Sequence, residues 1–469
     1  MHRFGRITIL EVEVAFKERK NVDPSTQEAS VKEVFSLSMP VIVSMASMSM
    51  LGLVDTYFMK WVNTEAQAAV GLGAPTIFSV LSLCFGLFSG LTTFVSQYFG
   101  AKRHADCGFM LWQMLFLAVV LGIISAFIFP SIVLKLLVLM NTNPAILEPT
   151  FEYMKVRLYA TPWVFIGFTL LSFLRGIGDM KTPAIVSLIV VAVNIPLTYI
   201  FAFGAGPIPA YGVVGAAIGT IISQAIETIC YAVVVYNKNN NGRFKTRRFS
   251  PPSLKAYQHI TKIALPVGIT WAIEQYGWLF FGLFISSLPK EASAANSIVM
   301  GFMNLVFMPG LAISIATTTL VGKYMGAGNI RSAEKSANYC IVLSISFLVI
   351  LGFITVALRD FIAHGFSDDQ SVIDIAKNLF LFGLVYQIFD ATGLTTSGAL
   401  RGAGDTRFPM IVGFISIWAI MLPLTYFCGQ YLGWGVYGAW AASVACIMVS
   451  GTVYFIRFKL GKWKSMKVA

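Results

Sequence analysis

The chain has 469 residues, with 34 Lys+Arg against 22 Asp+Glu, for a formal net charge of +12. Apolar residues make up 57% and charged residues only 12%, with a mean hydropathy of +0.74. An ordinary soluble domain carries roughly twice that charged share, so a soluble enzyme is excluded and most of the chain belongs in lipid. The basic excess does not make a phosphate-tracking surface, because the Lys and Arg residues lie between apolar runs and at the ends. No G-x-x-x-x-G-K-[ST] pattern occurs, so ATP hydrolysis is not encoded.

Residues 1–33 are polar, and Glu11 and Glu13 interrupt the one apolar stretch there, so a signal peptide is not expected. Mostly apolar runs of 20 or more residues then recur at 34–59, 68–97, 107–131, 152–174, 182–203, 212–236, 260–287, 294–321, 333–358, 376–400, 407–429 and 434–458. Each is long enough to cross a hydrocarbon core of ~30 Å as a helix, and none alternates as a barrel strand would. The expected fold is an all-α integral membrane protein of twelve transmembrane helices. Residues 237–259, basic and Asn-rich, read as a linker between 34–236 and 260–458, with 459–469 as a tail. With both termini cytoplasmic, only Lys60, Lys135, Lys155, Arg157, Lys290, Arg359 and Lys377 fall on the outer side, seven of 34 basic residues. That asymmetry sets the expected orientation in the cell's cytoplasmic (inner) membrane.

Cys84, Cys107, Cys230, Cys340, Cys428 and Cys446 are scattered singly without a C-x-x-C pair, the pattern of small apolar residues rather than of a disulfide framework. His2, His104, His259 and His364 fall in terminal or loop positions and offer no ligand cluster.

The halves match at a constant offset of 226 residues. Pro40 pairs with Pro266, Glu65-Ala66-Gln67-Ala68-Ala69 with Glu291-Ala292-Ser293-Ala294-Ala295, and Tyr98-Phe99-Gly100-Ala101 with Tyr324-Met325-Gly326-Ala327. Leu174-Arg175-Gly176-Ile177-Gly178-Asp179 matches Leu400-Arg401-Gly402-Ala403-Gly404-Asp405. Six helices per half is an even number, so the halves enter the membrane in the same sense. This is a parallel internal repeat of two six-helix lobes with a cavity between them, a transporter architecture. In the repeated turns Gly ends a helix in the left-handed conformation, and Arg is expected to pair with Asp across the turn. Gly-x-Gly-Asp also belongs to intramembrane aspartyl proteases. Those need two facing aspartates inside the bilayer, whereas Asp179 and Asp405 sit at the inner surface of separate lobes.

Four acids fall inside the spans: Asp55, Glu227, Glu274 and Asp390, with no basic residue deep enough to answer them. A carboxylate at mid-bilayer costs on the order of 3 kcal/mol or more, so each needs a reason. Glu274 lies about 21 Å and Asp390 about 15 Å from the inner end of its helix, at 1.5 Å per residue. Two such carboxylates in one lobe cannot both stay ionised unless a cation lies between them, so they hold a proton or Na⁺. Tyr386, four residues before Asp390, shares its helix face. Asp55 sits in the outer half of the first helix, and Glu227 is expected to pair locally or reach the inner surface. Trp271, Tyr276 and Trp278 flank Glu274, and aromatic faces beside buried carboxylates suit flat organic cations.

These features together resemble the multidrug and toxic compound extrusion (MATE) transporters over residues 34–458. The resemblance rests on Pro40 with Val54-Asp55-Thr56, the Tyr-x-Gly-Ala and Arg-Gly-x-Gly-Asp turns, Phe307-Met308-Pro309-Gly310, and Leu320-Val321-Gly322. Asn194-Ile195-Pro196-Leu197-Thr198-Tyr199-Ile200-Phe201, Tyr386-Gln387-Ile388-Phe389-Asp390-Ala391 and Glu274 are similar to the NorM-like branch. The resemblance implies antiport: Na⁺ or H⁺ enters and small cationic organic compounds leave as two lobes rock. The protein would work as a monomer among membrane lipids, without ATP, nucleic acid or a cofactor. It assigns Glu274, Asp390 and Tyr386 to a cation site (a metal site if the ion is Na⁺), and Asp55 and Asn194 to a site in the first lobe. Asp55, Glu274, Asp390, Trp271, Tyr276 and Trp278 would meet substrate. Thr198 stands where other branches carry Asp, Lys60 where NorM-like members have Gly, and Asn296 where they often have His. The rival reading is a lipid-linked oligosaccharide flippase of the same superfamily, which would favour basic cavity residues for a pyrophosphate head group.

Overall fold

Inside a bilayer the backbone finds no water to bond, so a spanning chain satisfies itself as helix. The computed structural model describes residues 24–139, 142–466 and 468. His2, Glu11 and Glu13 lie outside the described residues. The first half runs α1 (Val31–Met59), α2 (Thr64–Ser89), α3 (Leu91–Gly100), α4 (His104–Leu139), α5 (Pro144–Tyr159), α6 (Thr161–Gly176), α7 (Lys181–Phe203) and α8 (Gly212–Val235). A short α9 (Lys238–Phe244) follows. The second half runs α10 (Leu254–Ser286), α11 (Lys290–Gly326), α12 (Ile330–Ala357), α13 (Arg359–Phe366), α14 (Gln370–Ala403), α15 (Arg407–Phe414) with α16 (Leu422–Tyr426), and α17 (Gly435–Lys459). Side-chain caps start several of them: Ser30 accepts from Glu33 N at 3.2 Å, Asn63 from Ala66 N at 2.6 Å, and Asn329 from Ser332 N at 3.0 Å.

Ten described helices are long and apolar enough to span, and α5 with α6 makes an eleventh. The twelfth is α10, 33 residues long, whose apolar stretch is diluted by Glu274 and Gln275 at its centre. The fourth span is not straight: it bends by 57° between Tyr159 and Thr161. Pro162 has no N–H for the preceding turn, and the Thr161 hydroxyl bonds the Leu158 and Gly122 carbonyls at 2.7 and 2.9 Å instead. The third span runs through Pro130 and Lys135 to Leu139, beyond the 107–131 run read from the sequence, because residues 132–139 are apolar apart from Lys135. The eleventh carries two π-helical stretches, Ile415–Met421 and Phe427–Tyr431, on either side of Pro423. His104, His259 and His364 lie in helices rather than loops.

The repeated turns are superimposable in their bonding. Gly178 and Gly404 have φ of 79° and 96°, and Asp179 N and Asp405 N each donate to a carbonyl five residues back at 2.9 Å.

Four hydrophobic clusters show how the halves meet. Two mix them: Val34, Leu37 and Val41 of α1 pack with Leu320 and Tyr324 of α11, and Phe94 of α3 packs with Ile260 and Ala264 of α10. Both lie at the end of the bundle that carries Ala29 and Trp463, hereafter the proximal end. The other two clusters, at the distal end, each draw on one half alone. The two lobes are therefore joined proximally and separate distally, leaving a cleft. Glycine sets how close they come. A Cβ on Gly100 would strike the Lys323 carbonyl, and one on Gly326 would strike the Gln97 carbonyl. Side-chain donors reach main-chain carbonyls across that approach: Thr93 Oγ1 donates to Arg401 O at 3.1 Å, Thr319 Oγ1 to Arg175 O at 3.0 Å, and Gln97 Nε2 to Gly402 O at 2.9 Å.

Gly100→Ala and Gly326→Ala are each expected to lower stability by about 1–3 kcal/mol through overpacking, read as a fall in thermal midpoint in detergent. Gly301→Ala, inside α11 where a Cβ meets nothing within 4 Å, should hold the midpoint or raise it slightly, because Ala is the better helix former.

Candidate functional site

Three helices of the first lobe converge on Asp55, which is 3% exposed in the distal half of α1. Thr198 Oγ1 on α7 donates to its Oδ1 at 3.2 Å, and Thr220 Oγ1 on α8 donates to its Oδ2 at 2.8 Å. The Thr220 hydroxyl also lies 2.9 Å from the Ala216 carbonyl, so its single proton is shared. Asn194, one turn before Thr198, is fully buried, and neither its Oδ1 nor its Nδ2 has a partner among the described residues. Arg157 lies within electrostatic reach of Asp55 and donates Nη1 to Tyr153 Oη at 2.9 Å. The result is a buried pocket of oxygens around one carboxylate with an unused amide at its edge.

In the second lobe Asp390 of α14 is 6% exposed, and Glu274 of α10 lies within electrostatic reach of it. Neither carboxylate takes a hydrogen bond from protein among the described residues, so their oxygens are free for a proton, water or a cation. Tyr386 sits one turn before Asp390, with its ring 6.3 Å from that of Trp278. Beside Glu274, the π-helical stretch brings Ile417 against Gly277 and Trp418 Nε1 to 3.4 Å from the Ile273 carbonyl. Such stretches recur where a helix is adapted to function.

The aromatic residues around Glu274 divide. Trp271 crosses to the first lobe, 6.4 Å from Phe78 and 6.5 Å from Phe168, at the floor of the cleft. Trp278 packs within its own lobe, 5.4 Å from Phe281. Tyr276 makes no ring contact among the described residues and is partly exposed. Asn296 accepts from Trp440 Nε1 at 3.0 Å, a structural bond inside the second lobe.

Two expectations are corrected. Basic residues do answer the buried acids: Arg401 lies within reach of Glu274, and Arg175, 5% exposed, within reach of Glu227. Arg175 and Arg401 end their helices, but their long side chains turn back into the lobe instead of outward. Arg401 Nη2 reaches Ser314 Oγ at 3.1 Å. Nor does either motif Arg pair with its Asp. Asp179 caps the next helix, accepting from Thr182 N at 3.1 Å and Thr182 Oγ1 at 2.7 Å, whereas Asp405 binds Arg457 Nε at 3.0 Å. Tyr231 stands at the repeat position of Arg457 and donates to Glu227 at 2.9 Å. Glu227 is thus paired locally. Sequence reading also missed Thr220, whose hydroxyl is invisible as a ligand until α8 is packed on α7.

The MatE family model matches residues 40–200 and 266–427, once in each half of the repeat. The chain is 30% identical over 452 residues to the probable multidrug resistance protein NorM of Thermotoga maritima, covering 96% of this chain and 97% of that one. It is 27% identical to the multidrug resistance protein MdtK of Photorhabdus laumondii, covering 91% and 94%. Among solved structures, an outward-facing multidrug resistance MATE family transporter of the MOP superfamily superposes with a TM-score of 0.86 at 21% identity, covering 95% and 99%. A MATE in a bent conformation gives 0.83 at 22% identity, covering 94% and 97%. Two lobes of six spanning helices, each holding buried carboxylates and each matched by the MatE model, define a membrane transporter, not an enzyme. The chain belongs to the MATE family.

Asp405→Asn is expected to cost about 3 kcal/mol, because it strands Arg457 half inside the protein. Asp179→Asn keeps a capping oxygen and should cost well under 1 kcal/mol. Thermal unfolding of the two variants in the same detergent checks the contrast.

Proposed function

We propose that this transporter exports cationic, amphipathic organic compounds across the cytoplasmic membrane in exchange for inward Na⁺ or H⁺. The observation that carries this reading is the pair of carboxylate sites, one per lobe. In one, Asp55 is held by Thr198 and Thr220 beside the unpartnered Asn194; in the other, Glu274 and Asp390 have no protein donor. The multidrug-resistance names of its relatives support the substrate class, and the positive-inside asymmetry supports cytoplasmic termini, which would make the distal opening the outer one.

The chemistry is competition for one set of negative charges. An organic cation neutralises the carboxylates when the cleft faces the cytoplasm, and the coupling cation displaces it when the cleft faces out. Moving a positive charge outward against an inside-negative potential costs about 2.3 kcal/mol per 100 mV, and the inward cation supplies it. The two fluxes are linked only if each ligand binds the two states unequally. Glu274 and Asp390 with Tyr386 would hold the coupling ion; Asp55, Asn194, Thr198 and Thr220 would make the first-lobe site. Trp271 and Tyr276 offer aromatic faces at the cleft, while Trp278 supports Tyr386. The chain would act as a monomer.

Proteoliposomes loaded with a fluorescent organic cation test this directly. Efflux that requires an inward Na⁺ gradient at fixed pH would make Glu274 and Asp390 a metal-ion site. Efflux on a proton gradient alone would make them proton carriers, and silence under both would point to a lipid-linked oligosaccharide flippase. Asp390→Asn should abolish coupled efflux while leaving the protein folded and inserted. Thr220→Val removes one donor to Asp55, about 1 kcal/mol, and should weaken apparent coupling-ion affinity roughly fivefold in the same assay.

A further inference from the structure

We propose that two crossed straps, one from each end of the chain, latch the proximal side of the cleft shut and set how often it opens. The first strap is residues 24–33. It leads into α1 of the first lobe yet is bonded to α11 and α12 of the second. Asn329 Nδ2 lies 3.3, 3.2 and 3.1 Å from the carbonyls of Pro24, Ser25 and Gln27, and Ser332 Oγ donates to Gln27 O at 2.9 Å. Lys323 Nζ reaches Gln27 Oε1 at 3.1 Å and Glu33 Oε1 at 2.9 Å, and Tyr324 Oη donates to Glu33 Oε2 at 2.6 Å. Both oxygens of Glu33 are therefore engaged across the seam. The Lys323–Glu33 pair is sheltered, with the two side chains 19% and 16% exposed, whereas Lys335–Glu28 at 3.3 Å lies on the open rim.

The second strap runs the other way. After α17, Trp463 docks on the second lobe, stacked 5.2 Å from Phe458 and donating to its carbonyl at 2.8 Å, and Lys464 pairs with Glu334 at 2.8 Å. The chain then crosses the seam. Val468 N donates to Gln97 Oε1 of the first lobe at 3.1 Å, and its side chain is buried in the cluster that holds Leu87 and Phe94. Gln97 spends both ends of its amide on the second lobe, because its Nε2 donates to Gly402 O at 2.9 Å.

These contacts exist only while the proximal side is closed. Opening it must pull Glu33 from Lys323 and Tyr324 and withdraw Val468 from its socket, so every strap contact biases the equilibrium towards the distally open state. Losing one sheltered charge-assisted pair is expected to shift a two-state population by about tenfold. Reciprocal attachment matters: lobe separation loads both straps together, which makes opening cooperative. The inference rests on the lobes moving, not on which ion or drug drives them.

The test is a distance measurement by pulsed electron resonance without ion gradient or drug, so its outcome is separate from that of the transport assay. Spin labels are placed at the exposed proximal positions Lys181 and Arg331, one per lobe, in a background lacking the six cysteines. Glu33→Lys should raise the ratio of long to short distances about tenfold, and the exchange Glu33→Lys with Lys323→Glu should return it most of the way. Deleting residues 464–469 should move it in the same direction as Glu33→Lys. Glu33→Gln, which keeps the shape, replaces the lysine variant if that one misfolds and should give a smaller shift of the same sign. No shift in any of these variants, or a shift that the charge exchange fails to reverse, overturns the latch.

Discussion

The molecule is organised by one contact: two helices crossing backbone to backbone at Gly100 and Gly326, where any side chain would collide with a carbonyl. Because the lobes touch there so closely, main-chain carbonyls at the helix ends become acceptors for Thr93, Thr319 and Gln97 of the opposite lobe. Proximal closure in turn leaves the distal halves of the lobes apart, each sealed around its own apolar cluster. The cleft follows from that single-ended junction, whereas each carboxylate site is built inside its own lobe, Asp55 by Thr198 and Thr220 and Asp390 beside Glu274.

Repetition supplies the frame, and departure from it supplies the chemistry. The glycine turns at Gly178 and Gly404 bond identically, as a backbone constraint must when duplicated. The buried charges do not repeat. Asp55 is bonded by threonines in one lobe, Glu274 lies within electrostatic reach of Asp390 in the other, and Tyr231 with Glu227 occupies ground held by Arg457 in the partner repeat. A lobe of this kind needs its turns and its close approaches to be equivalent, but nothing requires its ion sites to be. Two chemically different sites on one rocking frame allow ligands to favour different states.

Arginine shows where linear reading stops. Arg175 and Arg401 stand at helix ends, where a snorkelling side chain ordinarily reaches water. Instead the guanidinium of Arg401 folds back to Ser314 and that of Arg175 is buried towards Glu227. Each brings positive charge to a lobe that, on sequence alone, holds only acids. Depth along a helix can be counted from residue number, but the direction of a long arginine side chain at its end depends on the neighbouring helix.

Length, hydropathy and the constant offset of 226 residues were enough to establish twelve spans, two equivalent lobes, the shared side of the termini and the four acids that require an explanation. These are properties of single segments, set by the thickness of lipid and the cost of a charge within it, and such properties survive any packing. The partners of those acids were beyond reach. Thr220 and Thr198 lie more than 140 residues from Asp55, and only the folded lobe brings Glu274 of α10 within electrostatic reach of Asp390 of α14, where the Trp278 and Tyr386 rings of the same two helices meet. The bend at Pro162, the cleft that opens at one end and the straps that cross the other are likewise facts of assembly. Helix-to-helix contacts decide them, and one chain of apolar runs is compatible with many such contacts until glycine, proline and the buried polar groups choose among them.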